Sequence, residues 1–402
     1  MMRVSSTVTV CSFVFFGIIV FFTVQSLLFR SEDTFDDYEI HVPPTMQTFP
    51  VVPKLKENIM YIKTHKCGSS TVQNIILRYG LEKELEIILP EKIYLGHPKH
   101  FKPEMIPPHL RSMDGQYNIL AHHARYDPVE MKKLFNPSDT LYLTILREPA
   151  AMFESMYNFY NLNLIYKNIT LKDILSAPNK FPMYKQLLGH RYPYRQGLNQ
   201  MSFDLGMEES MFDNQESISD FMTILAQDFD LVMITEYMDV SLVLLADMMQ
   251  WPLEKVVYLN HMERNKKKVH ELTEFDRSLL RDLNLADTFL YEYFVKVFQQ
   301  RILNYGVDRM KRQVVKLITL NYHLKKSCVK QQIFSDYGGT ISYQIKDDAT
   351  SQCMHAAMSE LEFTDNLSRL QQEKLKGLEI LDNLMSVYNY DDQDLNNYTL
   401  YE

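Results

Sequence analysis

Three short clusters hold most of the side chains in this sequence that could do chemistry. The first, Lys63-Thr64-His65-Lys66-Cys67-Gly68-Ser69-Ser70-Thr71, sets two ammonium groups, an imidazole, a thiol and several hydroxyls around one glycine, directly after the apolar run 58–63. A loop that leaves a buried strand and enters a helix offers backbone N–H groups and the positive end of the helix dipole. The cluster therefore predicts an anion site, with phosphate as the natural ligand. It is not a Walker A sequence, which requires a lysine after its second glycine. The second cluster is "LREPAAMFES", in which Arg147 ends a predicted strand, Pro149 suits the first turn of a helix and Ser155 lies about two turns in. An arginine and a hydroxyl so placed can clamp a second phosphate at the same sheet edge. The third is His122-His123, at the end of another predicted strand, where a neutral imidazole can take a proton. Neighbours on a strand point to opposite faces, so one of the two is expected to serve.

Each cluster also has a plainer reading. The first is equally a helix capped by Ser or Thr with a solvated lysine pair, and the second a strand-end charge pair with a small packing residue. Either histidine could be a satisfied structural residue. Cys67 as a nucleophile, its thiol activated by the lysines and the helix end, would need a base such as His65.

Taken together, "YIKTHKCGSSTVQNIILRYG", "ILAHHARYD", "LREPAAMFESMYNFY", "GLNQMSFDLG" and "LVMITEYMDVSLVLLADMMQWPLEKVVYLN" resemble, in order over about residues 58–300, the galactose 3-O-sulfotransferase family of Golgi membrane enzymes. The resemblance implies that residues Lys63 to Thr71 hold the 5′-phosphosulfate end of 3′-phosphoadenosine-5′-phosphosulfate and that Arg147 and Ser155 hold its 3′-phosphate. It implies sulfuryl transfer to the 3-hydroxyl of a galactose-terminated glycan or glycolipid. Such a reaction needs a cation on the leaving oxygen, for which Lys66 or Lys63 is the candidate, and a base for the hydroxyl proton. His123 is preferred over His122, because His123 and Tyr126 match the H-x-x-aromatic pattern of related uronyl 2-O-sulfotransferases. Arg195, Asn199 and Asp204 fall in a segment that lines the sugar site in the family, although a surface loop with a structural Asp is an equal reading. Threonine is usual in the family at the position of Cys67, so the thiol is expected to stand in for a hydroxyl donor. Another acceptor, or a glycan-binding protein of the same fold with weak turnover, are the alternatives.

These clusters need elements to position them. Strands are expected at 58–63, 117–123, 140–146, 231–237 and 255–260, with helices at 70–80, 149–160, 240–249 and 274–301. Strands that alternate with longer helices predict an α/β fold with a central parallel sheet covered on both faces, P-loop-like in the light of the resemblance. The expected division is a cytosolic tail 1–7, a transmembrane signal-anchor 8–29, a proline-bearing stem 30–57, a catalytic domain 58–310 and a helical C-terminal appendage 311–402. The span 8–29 carries no charge and is long enough to cross a bilayer as a helix. Its flanks favour a type II orientation with the rest of the chain in a lumen. Sequons at Asn168, Asn366 and Asn397 suit that side. There Cys328 and Cys353 can pair, leaving Cys67 over. With 42 Lys+Arg against 51 Asp+Glu the chain has a net charge of −9, which excludes a nucleic-acid-coating protein and requires any anion to be held locally. No Cys or His spacing signals zinc and no metal is expected. A homo-oligomer is compatible with the chain.

Overall fold

A computed structural model describes residues 56–188, 196–261, 271–334 and 340–398. The expected tail, membrane span and nearly all of the stem lie outside the described residues, as do Arg195 and a basic run at 264–268. Among the described residues no helix is long and apolar enough to cross a membrane.

The core is a five-stranded sheet in the order β2-β3-β1-β4-β5, with every neighbouring pair parallel. The strands are β1 (Asn58–Ile62), β2 (Ile87–Ile88), β3 (Ile119–Leu120), β4 (Thr140–Leu146) and β5 (Leu231–Ile234). All seven residues of β4, "TLYLTIL", are buried, which fits a parallel sheet packed on both faces. β1 lies between β3 and β4, with Ile59 opposite Ile119 on one side and Leu141 on the other. The chain leaves β1, β3 and β4 at one edge, which brings the three chemical clusters together.

Two helices matter most to that edge. Helix α1 (Ser69–Glu82) follows β1, and its N-cap Gly68 is left-handed at φ 67° with no side-chain cap. The left-handed backbone at Gly68 favours glycine, and a β-carbon there would stand 3.1 Å from the Met238 methyl, which would have to give by a few tenths of an ångström. Helix α2 (Pro149–Phe159) follows β4. It is capped by Glu148, whose carboxylate accepts from the N–H groups of Ala150 and Ala151 and pairs with Arg277 and Arg281.

Several expected elements differ. The run 255–260 is not a strand: Leu253–Lys255 forms a 3-10 turn, and Val256, Val257 and Leu259 enter the core without a ladder, because an apolar run fixes burial and not pairing. The expected helix at 274–301 is two, Glu274–Leu283 and Leu285–Tyr305, broken at buried Asn284, whose side chain accepts from the Asn199 N–H. The strand expected at 117–123 is regular only at β3, with isolated bridges Tyr94–His123 and His100–Arg125 continuing its line.

The expected appendage does not stand apart. After the helix Val307–Cys328 comes an antiparallel hairpin, β6 (Val329–Phe334) with β7 (Ile341–Ile345), that the helical reading had not included. A short helix Ser351–Ala357 and the 39-residue α4 (Glu360–Tyr398) then return to the sheet. Cys328 and Cys353 form a disulfide with their Cα atoms 5.2 Å apart. Asn74 of α1 donates to the His355 carbonyl at 2.9 Å, His261 to that of Ala356 at 2.8 Å, and Gln371 of α4 to that of Leu110 at 3.0 Å.

Candidate active site

The exits of β1, β3 and β4 enclose a cavity of about 420 Å³. Its floor is the loop 63–68 and the first turn of α1. Lys66 and Gly68 both have positive φ, at 57° and 67°, so the loop turns its amides inward ahead of the uncapped helix end. Successive N–H groups curled in this way, at a helix N-terminus, form an anion-binding concavity. Lys66 stands over it, with its Nζ 3.4 Å from the centre of the Phe159 ring. Arg147 and Ser155 line the same cavity, and Arg147 donates to the Lys66 carbonyl at 2.9 Å, so the β4 exit also braces the β1 loop. Thr235, in the turn after β5, ties the loop down through the Cys67 and Leu146 carbonyls, 2.6 and 2.9 Å away.

Two imidazoles stack in the wall, His65 on His123, with ring centres 4.2 Å apart. His123 Nδ1 lies 2.9 Å from the Lys63 carbonyl. A carbonyl can only accept, so Nδ1 carries the hydrogen and Nε2 has the free lone pair. Burial, followed by Lys63, His65 and His97, pushes His123 well below the ordinary histidine value and keeps it neutral. His65 is oriented from behind by Asp204, which accepts from His65 Nδ1 at 2.8 Å and from the His65 backbone N–H at 2.7 Å. Gln200 Nε2 at 2.8 Å and His97 Nε2 at 3.3 Å complete its shell. Burial pushes the Asp204 carboxyl up, but His65 and His97 outweigh it and hold the group well below the usual carboxylate range. His65, His97 and Asp204 are the one group among the described residues whose atoms are close enough together to hold a metal ion. In this structure they bond to one another.

Of the residues expected at the site, Lys63, His65, Lys66, Gly68, Ser69, Ser70, Thr71, His123, Arg147 and Ser155 line the cavity. Others are corrected. Cys67 is fully buried beneath the loop with its thiol 3.2 Å from the His65 carbonyl, and burial pushes that thiol up. Its thiol is turned into the protein and does not line the cavity. Thr64 is likewise turned under, bonded to the Ile145 carbonyl. His122 points away from the cavity to Thr364 on α4, at 2.9 Å. Asn199 and Asp204 are buried and are not among the residues that line the cavity, which fits the structural reading of the Asp. Asn199 is buried against Asn284 and Asp287, and Asp204 lies behind His65, because the Gln200–Asp204 helix α3 packs into the core. Of the sequons, Asn168 is exposed, Asn366 is part-buried and bonded to Arg369 on α4, and Asn397 lies on α4. Tyr94, Phe159, Tyr160 and Glu360 line the cavity and were not anticipated. An aromatic or an acid isolated in sequence carries no signal of its own, whereas the string "HPKHF" that holds His97 offered a histidine pair.

Burial also holds His122 and His261 down at about 4. Their folded values lie below the ordinary 6.5, so the unfolded chain binds protons first as pH falls. The stability of the neutral forms is present above 6.5 and is lost down towards 4, on the order of 3 kcal/mol for each group. The melting temperature is expected to drop steadily between pH 6.5 and 4.5, before most carboxylates titrate. A flat profile over that window would contradict the buried neutral histidines.

Comparison with known proteins adds the family. The galactose-3-O-sulfotransferase family matches residues 1–350. Galactose-3-O-sulfotransferase 3 of Mus musculus is 30% identical over 308 residues, covering 72% of this chain and 67% of that protein. The protein of the same name from Bos taurus is 28% identical over 382 residues, 85% of each chain. Galactosylceramide sulfotransferase of Homo sapiens is 29% identical over 280 residues, 68% of this chain and 64% of its own. The match spans every element that builds the cavity except the last helices, and the chain belongs to the galactose-3-O-sulfotransferase family.

Proposed function

We propose that the chain moves a sulfuryl group from 3′-phosphoadenosine-5′-phosphosulfate to the 3-hydroxyl of a galactose on a glycolipid or glycoprotein glycan. In this reading it is a single-pass Golgi enzyme anchored through residues 8–29, with residues after 30 in the lumen. The observation that carries the reaction is the meeting, in one cavity, of an uncapped helix end with Lys66, a second cation and hydroxyl at Arg147 and Ser155, and a neutral imidazole.

The donor, when bound, supplies an activated sulfur–oxygen bond. The α1 amides, Ser70 and Thr71 receive its 5′ end, and Arg147 with Ser155 its 3′-phosphate. Lys66 neutralises the charge that grows on the bridging oxygen as that bond breaks. His123 Nε2 takes the proton of the galactose hydroxyl as its oxygen bonds to sulfur, while the Lys63 carbonyl fixes the tautomer. His65, oriented by Asp204, forms the stacked wall that holds His123 in place. The test is incubation of the protein with radiolabelled donor and a panel of β-galactosides, followed by linkage analysis. Label on the galactose 3-position is expected. Label only on uronic acids or hexosamines would refute the acceptor, and no transfer at all would refute the reaction.

A further inference from the structure

Glu360, the first residue of α4, reaches the cavity although it lies 297 positions from the lysine it meets and beyond the family match, which ends at 350. Its Oε2 is 2.5 Å from Lys63 Nζ and its Oε1 accepts from Gln73 Nε2 at 3.1 Å. Lys63 is buried with 1% of its side chain exposed, whereas 17% of the Glu360 side chain remains open. The backbone behind Glu360 is fixed as well. Ser359 and Glu362 form a capping box, with Ser359 Oγ 2.7 Å from the Glu362 carboxylate. The Glu360 carbonyl accepts from Thr364 Oγ1 at 2.8 Å, and that hydroxyl receives the His122 Nε2 hydrogen.

β1 lies between β3 and β4, Arg147 and Ser155 follow β4, and the histidines follow β3. Glu360 is tied to the β1 exit through Lys63 and to α1 through Gln73, and it lines the same cavity as His123. Burial pushes its carboxyl up, but Lys63, His122 and the two side-chain hydrogen bonds hold it below the usual value, so it is ionised. An ionised carboxylate repels a phosphate or sulfate and welcomes a neutral hydroxyl donor. Each of its oxygens has one bond inside the protein and a second lone pair to offer.

We propose that Glu360 is a specificity-determining residue of the acceptor side, its carboxylate accepting a hydrogen bond from a hydroxyl of the acceptor sugar other than the one that is sulfated. The proposal rests on the sulfotransfer reading above. Wild-type turnover of the parent galactoside tests that reading, and the variants are scored against the wild-type rate, so the two can fail separately.

The test uses the full chain with Glu360→Asp, which keeps the charge for Lys63 but withdraws it by one methylene, and Glu360→Gln, which keeps the reach and loses the charge. For each, the KM and kcat of a β-galactoside and its 2-, 4- and 6-deoxy analogues are measured, with calorimetric affinity for adenosine 3′,5′-bisphosphate. In the Asp variant the galactoside KM is expected to rise about ten-fold while bisphosphate affinity stays within about two-fold. One deoxy analogue that the wild type handles about ten-fold worse than the parent should lose that handicap in the variant. An unchanged galactoside KM with the deoxy discrimination intact would overturn the proposal, as would an equal loss of bisphosphate affinity, which would make Glu360 a strut for Lys63. If the Gln variant unfolds because Lys63 is left unpaired, the Asp variant still decides. If both unfold, a wild type that handles all three deoxy analogues as it does the parent overturns the proposal, and a ten-fold handicap on one of them supports it.

Discussion

Replacement of Lys66 by alanine is expected to lower kcat/KM by about 10²- to 10³-fold with little change in melting temperature. The ammonium is 3.4 Å from the Phe159 ring centre, and Lys66 lines the cavity with the first residues of α1. A preorganised cation at a leaving oxygen acts where charge develops, and removal of one such group in other acyl- and phosphoryl-type sites costs about that much. Stability should hold for two reasons. The side chain is partly open to the cavity, and the left-handed backbone at φ 57° strains alanine no more than lysine. Lys66→Arg retains charge but not a point donor, so partial recovery is expected. The check is steady-state kinetics beside a thermal melt. A Lys66→Ala variant within about three-fold of wild type would move the leaving-group role to Lys63, which the structure shows already paired with Glu360.

The Asp204→Asn variant is expected to lose both stability and turnover, for a reason the sequence hid. Four donors converge on this buried carboxylate: the His65 N–H, His65 Nδ1, Gln200 and His97. An asparagine keeps one acceptor oxygen and must point its own N–H₂ at a donor. The loss is on the order of 3 kcal/mol, or roughly 5 °C in a chain of this size. Because His65 is the ring on which His123 stacks, its release should also cost about 10²-fold in kcat at temperatures where the variant is folded. Asp204→Glu offers the same chemistry a methylene too far and should fall between the two. A folded Asp204→Asn enzyme with wild-type kcat would show that the His65 orientation is immaterial.

What could be read in advance follows physical lines. The strand at β4 was plain because seven consecutive buried residues end at Arg-Glu-Pro, a strand end and a helix start in three letters. The β1 loop was legible as a strand-to-helix turn because glycine and hydroxyls follow an apolar run, while its lysines suited an anion site and a solvated pair equally. The alternation rule for His122 and His123 also had physical force, since the structure turns the two imidazoles to opposite sides. Three things were illegible. Which way a small side chain turns inside a loop depends on the loop's φ values, so Thr64 and Cys67 appeared to face the ligand when they lie beneath it. Asp204 could be read as an acceptor contact or as a structural acid, because an acid near a site has no label that separates front from back. Glu360 was invisible because the contact with Lys63 is made by a helix that returns from the far end of the chain, after a hairpin and a disulfide that a helical reading of the tail omits.

The two-anion clamp is tested most directly by calorimetry of adenosine 3′,5′-bisphosphate binding to the wild type and to Arg147→Ala. The Arg147 guanidinium donates to the Lys66 carbonyl and lines the cavity, and a charged hydrogen bond to a phosphate is worth about 1.5–3 kcal/mol. The account predicts tight 1:1 binding by the wild type and an affinity roughly 10- to 100-fold weaker in the variant. Equal affinity in the two proteins, or no binding by the wild type, would contradict it.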